Sequence, residues 1–408
     1  MPEHFDFIII GNSAAGLQAL RTLRRHDRHS RIAIIDRENC PAYSRVLTPY
    51  YIGGHIERGG LDIVSHSFYA DMGTKTIFGQ AVVAIKPEEH IVQLTDGMEI
   101  LYSKLLLATG AEARTLSVSA ERSCVLRHIT DAEKLVSLQT SARSVTAIGA
   151  GLVSLPLLSH ADEQMEKHLV VGSNRIFSRV VDAEAAAILE EKLTKKGLQI
   201  HKENDIDTIV EGDQLNLNLR SGETLKSDLL IVGKGVNPNT KLASDAGLHV
   251  DNGVLIDDFC CTSHPDIFAA GDSAEGKDFI SGELTIQGNW MTAVEQGENA
   301  ALNMLGIHCS YQGSLKNNIT EIFGIDVAAV GYCQDDADQI VSSYNPVTGR
   351  FRKVFMDNKQ RVIGATMIGE TNDSGLYYQL VTTREVFPGK ELLQGTANYA
   401  QTQLRLAS

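Results

Sequence analysis

The stretch "IIIGNSAAG" at residues 8–16 ends an apolar run on Gly11 and places a second glycine, Gly16, after Asn12, Ser13, Ala14 and Ala15. These residue types at this spacing can hold a pyrophosphate. Gly11 permits a tight turn out of a strand, and Gly16 lets the following helix pack closely on the sheet. The unpaired N–H groups at the helix start can then bind phosphate oxygens. Ser13 replaces the usual middle glycine, and its hydroxyl could itself donate to a phosphate. Asp36, twenty residues beyond Gly16 and followed by Arg37, adds the second half of the chemistry. A carboxylate ending the next strand can accept both hydrogen bonds of an adenosine ribose. Strand, turn, helix, strand and terminal acid together predict a dinucleotide site; the alternative is a packing turn with a surface aspartate.

A second turn, "SVTAIGAGLVSLPLL", has Gly149 and Gly151 in place, then Leu152 and Val153, with Ser154 in the third-glycine position. Its next strand, "HLVVGSNR", ends on Gly172 and Ser173 without the acid that would select a free 2'-hydroxyl, and Arg175 and Arg179 lie nearby. This site is expected to bind a dinucleotide weakly or to be vestigial. NAD and NADP both stay open. The 13 histidines are scattered, with no H-x-x-x-H or H-E-x-x-H arrangement. Six cysteines (40, 124, 260, 261, 309, 333) form no C-x-x-C pair, so no iron-sulfur cluster or structural zinc is expected in the chain itself.

Strand-like runs alternating with helical stretches must position these turns: "FDFIII", a helix from about Gly16 to Arg25, "RIAIID", and later "SVTAIG", a short helix, "HLVVG" and the amphipathic "DAEAAAILEEKLTKKG". The alternation implies parallel βαβ units. Hairpins are expected at the "TDG" turn before "MEILYSKLLL" and at the "SG" turn in "LNLNLRSGETLKS". From about residue 311 the alternation stops, leaving the strand-turn-strand signal "FRKVFMDNKQRVIGATMIG". The expected fold class is therefore α/β: two Rossmann-like (three-layer ββα) dinucleotide-binding domains plus a small α+β C-terminal domain. The expected boundaries are 1–115 with 241–310, 116–240, and 311–408.

With 408 residues, 43% hydrophobic and 22% charged, the chain has an ordinary globular composition. Its net charge of -14 argues against nucleic acid, which needs clustered Lys and Arg. No window approaches a membrane span, and the acidic N-terminus does not read as a secretory signal, so a cytoplasmic location is expected.

Four further segments occur in a telling order: "LLLATGAEAR" with Ala108, Thr109 and Gly110, "LLIVGKGVNPNTKLA" with Gly235, "TSHPDIFAAGDSAEG" with Gly271 and Asp272, and "NWMTAVEQGENAALNMLG" with Trp290 and Met291. With the two glycine turns, they make residues 5–305 resemble the FAD- and NAD(P)-dependent pyridine nucleotide-disulfide oxidoreductases. The resemblance implies FAD on Gly11–Gly16, Asp36, Arg37, Arg45, Val82, Ala108–Gly110, Gly271, Asp272, Trp290 and Met291. It implies NAD(H) as substrate on Gly149, Gly151, Leu152, Val153, Ser154 and Gly235. Asp272 would bind the ribityl hydroxyls, and the helix at Trp290 would point its N-terminus at the flavin pyrimidine.

The departures from the family also inform. Its disulfide branch carries C-x-x-x-x-C after the first acid and its oxidase branch one cysteine there; here "NCPAYSRVLTPYYIGG" has Val46 near that position, with Cys40 too early. Electrons are then expected to pass directly between flavin and the other substrates. "PAYSRVLTPYY" is similar to the P-Y-x-R stretch of ferredoxin-type reductases, which puts Tyr43 and Arg45 near the isoalloxazine ring; a structural salt bridge is the alternative for Arg45. Pro156 stands where the family usually has a Glu near the nicotinamide.

The leading functional expectation is an FAD-containing subunit that exchanges a hydride with NAD(H) and single electrons with an iron-sulfur subunit or ferredoxin, in a hetero-oligomeric complex. The chain resembles the flavin subunits of tungsten aldehyde oxidoreductase and phenylglyoxylate dehydrogenase complexes. The alternatives are a free-standing ferredoxin or rubredoxin reductase, NADH oxidase or quinone reductase, and a structural FAD subunit with a vestigial nicotinamide site. The tail "ELLQGTANYAQTQLRLAS" has little of the positive charge that a membrane-bound quinone reductase would need.

Overall fold

In a computed structural model, residues 2–118, 120–386 and 393 are described. Packing divides the chain into two compact units, the first comprising Met1–Val46, Arg58–Glu112 and Val236–Leu315. Its seven-stranded sheet has the order β3 (Thr74–Phe78), β2 (Ile32–Asp36), β1 (Glu3–Ile10), β6 (Glu99–Leu107), β5 (Ile91–Leu94), β4 (Val82–Lys86), with Ile267–Ala269 also pairing β6. The end of β1 and most of β2 are unbroken buried apolar runs, as expected for parallel strands covered on both faces. β6 pairs parallel with β1 along one edge; on its other edge its start pairs antiparallel with β5 across the "TDG" turn, and its end, Leu105–Leu107, pairs parallel with Ile267–Ala269. Helix α1 (Ala14–His26) begins two residues before the sequence expectation, because the turn has already closed at Ser13.

The second unit comprises Leu47–Glu57, Ala113–Gly235 and the chain from Lys316 onward. A parallel sheet runs in the order Leu198–Lys202, Glu166–Val171, Ser144–Ile148, Leu229–Val232, Ser123–Cys124. The three-stranded antiparallel sheet Ile206–Glu211, Leu215–Leu219, Thr224–Ser227 packs Leu215, Leu217 and Leu225 against Val170 and Leu230. Its "SG" turn puts Gly222 at φ +90. The helix Ala183–Lys195 is capped by Asp182, which accepts from the amides of Glu184 and Ala185. The five-stranded antiparallel C-terminal sheet, with the helix Ser374–Thr383, belongs to this unit and is tied to that cap by Lys353: its Nζ lies 2.9 Å from Asp182, 3.1 Å from Asp335 and 3.2 Å from Glu184. Among the described residues no helix is long and apolar enough to cross a membrane. The tail 391–408 lies outside the described residues apart from Leu393.

Candidate functional site

The first glycine turn is built by close approach. Gly11 has φ +112, and a Cβ there would lie 2.1 Å from the Ala108 carbonyl oxygen; a Cβ on Gly16 would lie 1.9 Å from the Gly11 carbonyl oxygen. No side chain fits in either place, so both positions need glycine for contact as well as for backbone freedom. Ser13 stands at the N-cap of α1 without a side-chain capping bond. The first-turn amides, which have no intrahelical acceptor, are thus left for a ligand. Asp36, at the end of β2, accepts from the Asn12 amide at 2.7 Å and the Glu38 amide at 2.8 Å. Burial raises its carboxyl above the ordinary value, partly offset by those two N–H bonds. An uncapped helix start beside a carboxylate, floored by glycines, is the donor set that a dinucleotide's pyrophosphate and ribose require.

Of the other FAD candidates of the first unit, Ala108 lies against Gly11 and Gly271 against Ala15. Thr109 and Gly110 follow β6, and Asn239 ties them down: its side chain donates to the Thr109 carbonyl at 2.8 Å and its amide to the Gly110 carbonyl at 2.9 Å. Gly271 (φ +78) donates its amide to the Gln296 side chain at 2.9 Å, and a Cβ on Gly288 would lie 3.7 Å from an Asp272 carboxylate oxygen. Trp290 and Met291 open the helix Trp290–Met304, capped by Asn289 at the Thr292 amide. Arg37 is ion-paired with Glu112, and Val82 is the first residue of β4.

Sequence reasoning missed three residues of this site. A Cβ on Gly297 would lie 2.3 Å from the Ala15 carbonyl oxygen, so this glycine lets Trp290–Met304 close on the first turn of α1. Tyr69 donates its hydroxyl to Asn12 at 2.8 Å and accepts the Ala42 amide at 3.0 Å, joining the turn to the segment that carries Tyr43 and Arg45. Glu38 accepts Arg45 at 2.6 Å and the Tyr43 hydroxyl at 3.1 Å. The Arg45 guanidinium also sits 4.9 Å from the Tyr43 ring centroid. Burial raises the Tyr43 hydroxyl well above its ordinary value. The only sequence signal for Gly297 was its place inside "NWMTAVEQGENAALNMLG", and for Glu38 its place between Arg37 and "NCPAYSRVLTPYYIGG".

Val46 is exposed. Cys40 has its thiol pushed up to about 11, first by burial and then by the Glu38 charge, so it is protonated at neutral pH.

In the second unit Gly149 (φ +91) repeats the role of Gly11, since a Cβ would meet the Gly233 carbonyl oxygen at 2.3 Å. The room that Gly16 provides in the first turn is provided differently here. Ser154 is buried, and a Cβ on Gly233 would lie 2.0 Å from its Oγ, so the missing side chain has moved to the neighbouring strand end. The helix Ser154–His160 begins five residues after Gly149, against three after Gly11 for α1, with Leu152 and Val153 left exposed before it. Pro156 lies in its first turn, where a missing N–H costs nothing. Gly235 (φ +89) has open space about its Cα, and Arg175 donates to the Ser178 carbonyl and to Gln334.

A family model described as pyridine nucleotide-disulphide oxidoreductase matches residues 5–297. The chain belongs to this family. It is an FAD-dependent NAD(P)H oxidoreductase, with FAD as cofactor and NAD(H) as substrate. It is 30% identical over 378 residues to an assimilatory nitrate reductase electron transfer subunit of Bacillus subtilis, covering 90% of this chain and 48% of that protein, so it spans about half the length of that relative. It is 27% identical to the NADH-dependent phenylglyoxylate dehydrogenase subunit epsilon of Aromatoleum evansii, over 94% of this chain and 92% of the relative. The structure of a ferredoxin reductase for the CYP199A2 system of Rhodopseudomonas palustris superposes with a TM-score of 0.89 at 26% identity, covering 95% of this chain and 96% of that one. The fold is thus that of the oxidoreductase family.

Proposed function

We propose that this oxidoreductase carries electrons between NAD(H) and an iron-sulfur protein, as the flavin subunit of a larger aldehyde or 2-oxoacid oxidoreductase complex in the cytoplasm, where both reactants are found. Residues 1–115 with 241–310 would hold FAD, 116–240 would bind NAD(H), and 311–408 would form an interface. The observation that carries the reading is the segment Cys40–Val46. Where the disulfide branch places its thiols, this chain presents Tyr43, a Glu38-bound Arg45 and an exposed Val46, beside a Cys40 that stays protonated. The names of its relatives, an electron transfer subunit and an NADH-dependent dehydrogenase subunit, point the same way.

Bound FAD supplies two-electron exchange with NAD(H) and one-electron exchange with an iron-sulfur centre. The first-turn amides of α1 and the Asp36 carboxylate bind the diphosphate and ribose. The start of Trp290–Met304 would offer its dipole to negative charge on the ring. Leu152 and Val153 offer an apolar surface to the nicotinamide, and hydride transfer needs this alignment more than an acid or base.

The test is anaerobic addition of NADH to the FAD-loaded chain, with and without an oxidised ferredoxin. Bleaching that passes to ferredoxin, with little oxygen consumed in a parallel aerobic assay, supports the proposal. Bound flavin that NADH never bleaches would instead favour the structural subunit, which the late helix start at Ser154 supports.

A further inference from the structure

We infer that Glu38 is a positioning residue that sets both the orientation and the net charge of Arg45, and thereby tunes the reduction potential of the bound flavin; this rests on the proposed placement of Tyr43 and Arg45 beside the flavin ring. One nearly buried carboxylate, 13% exposed, receives the Arg45 guanidinium at 2.6 Å. Its two oxygens also lie 3.1 and 3.3 Å from the Tyr43 hydroxyl. Its own amide donates to Asp36 at 2.8 Å, so the acid that would hold the ribose and the acid that holds Arg45 are two residues apart on one rigid turn.

The backbone around Arg45 is fixed without Glu38. Ser44 donates its amide to Leu61 at 2.7 Å, and Ala42 donates to the Tyr69 hydroxyl at 3.0 Å. What the Glu38 side chain adds is therefore the direction of the guanidinium and a compensating negative charge. Arg58, 5.6 Å from the Tyr43 ring centroid and ion-paired with Asp62, and Asp36 are further charges near this cluster. A planar guanidinium held by a carboxylate has its charge partly cancelled, and in a half-buried setting that cancellation is felt by any neighbouring charge.

Reduction of a flavin adds negative charge to the ring, so a bare cation beside it raises the potential and a neutralised cation does so less. Glu38→Gln keeps the shape and one acceptor oxygen but removes the compensating charge. Arg45→Met removes the cation. With wild-type FAD-loaded protein as reference, the reduced-to-oxidised ratio at a fixed dye potential is expected to rise about tenfold in Glu38→Gln and to fall about tenfold in Arg45→Met, or about 30 mV each way for a two-electron couple. Arg45→Met strands the nearly buried Glu38 carboxylate and should lower the melting temperature, so both potentials are read on folded, FAD-loaded protein well below its melting point.

If Arg45→Met leaves the potential unchanged, Arg45 is not beside the flavin and the underlying placement fails. If Arg45→Met lowers it while Glu38→Gln leaves it unchanged or lowers it, the placement stands and the role of Glu38 is overturned. Should Glu38→Gln not retain FAD, Glu38→Asp decides the matter: withdrawing the carboxylate by one methylene is expected to shift the potential in the same direction by a smaller amount, and no shift overturns the inference.

Discussion

Replacing Gly297 by Ala sets two effects of known size against each other. Alanine in a helix interior gains about 1 kcal/mol over glycine through backbone entropy. At Gly297, however, the new Cβ would lie 2.3 Å from the Ala15 carbonyl oxygen and 2.9 Å from the Ala15 Cα, so the helix Trp290–Met304 must move off α1 by roughly an ångström. Overpacking of this kind costs about 1–3 kcal/mol, which cancels or exceeds the propensity gain. The displaced backbone is the first turn of α1, whose amides are the pyrophosphate donors. FAD affinity should thus fall by about 5- to 150-fold, at about 1.4 kcal/mol per tenfold. FAD titration of apoprotein by fluorescence, with melting temperatures for both forms, measures the two consequences. A Gly297→Ala protein that melts higher than wild type and binds FAD within about twofold would refute the close approach, because only the helix-propensity gain would then be acting.

Other substitutions test the remaining contacts. Asp36→Ala leaves the Asn12 and Glu38 amides without their acceptor and should weaken FAD binding by about 1–3 kcal/mol, read by the same titration. Lys353→Met strands the fully buried Asp182 carboxylate and should destabilise the second unit by about 3–5 kcal/mol in urea unfolding, with FAD affinity of the first unit unchanged. Gly233→Ala should destabilise the fold through its clash with Ser154 Oγ, and the double variant with Ser154→Gly should recover part of the loss. Burial, then the nearby His55, lowers His160 below the usual 6.5, so the unfolded chain binds that proton more readily and stability should drop as pH falls through about 6.5. His160→Gln should flatten that slope in melting curves between about pH 5 and 8.

How far the site was legible follows from the distance over which each feature is encoded. The turn at Gly11, the acid at Asp36 and the two hairpins are local: one short stretch holds both the residue and the conformation it demands, and each stands in the structure where the spacing put it. Ser154 was legible as a substitution, but how it is tolerated was not, because the compensating glycine is Gly233, nearly eighty residues on. Glu38 stood in plain sight between Asp36 and Tyr43, yet its role depends on a chain reversal that turns Arg45 back onto it.

The sequence by itself determined the α/β class, two glycine turns after strands, and a first acid suited to a ribose, since these rest on backbone freedom and periodic burial. Only the tertiary structure decided that Gly297 is pressed against Ala15, that Lys353 closes on the Asp182 cap, and that Arg45 is neutralised by Glu38. The physical reason is common to all three. Close packing and charge pairing act through space at a few ångströms, and neither the long separation of Gly297 from Ala15 and of Lys353 from Asp182 nor the seven residues between Glu38 and Arg45 carries a local mark that the partners will meet.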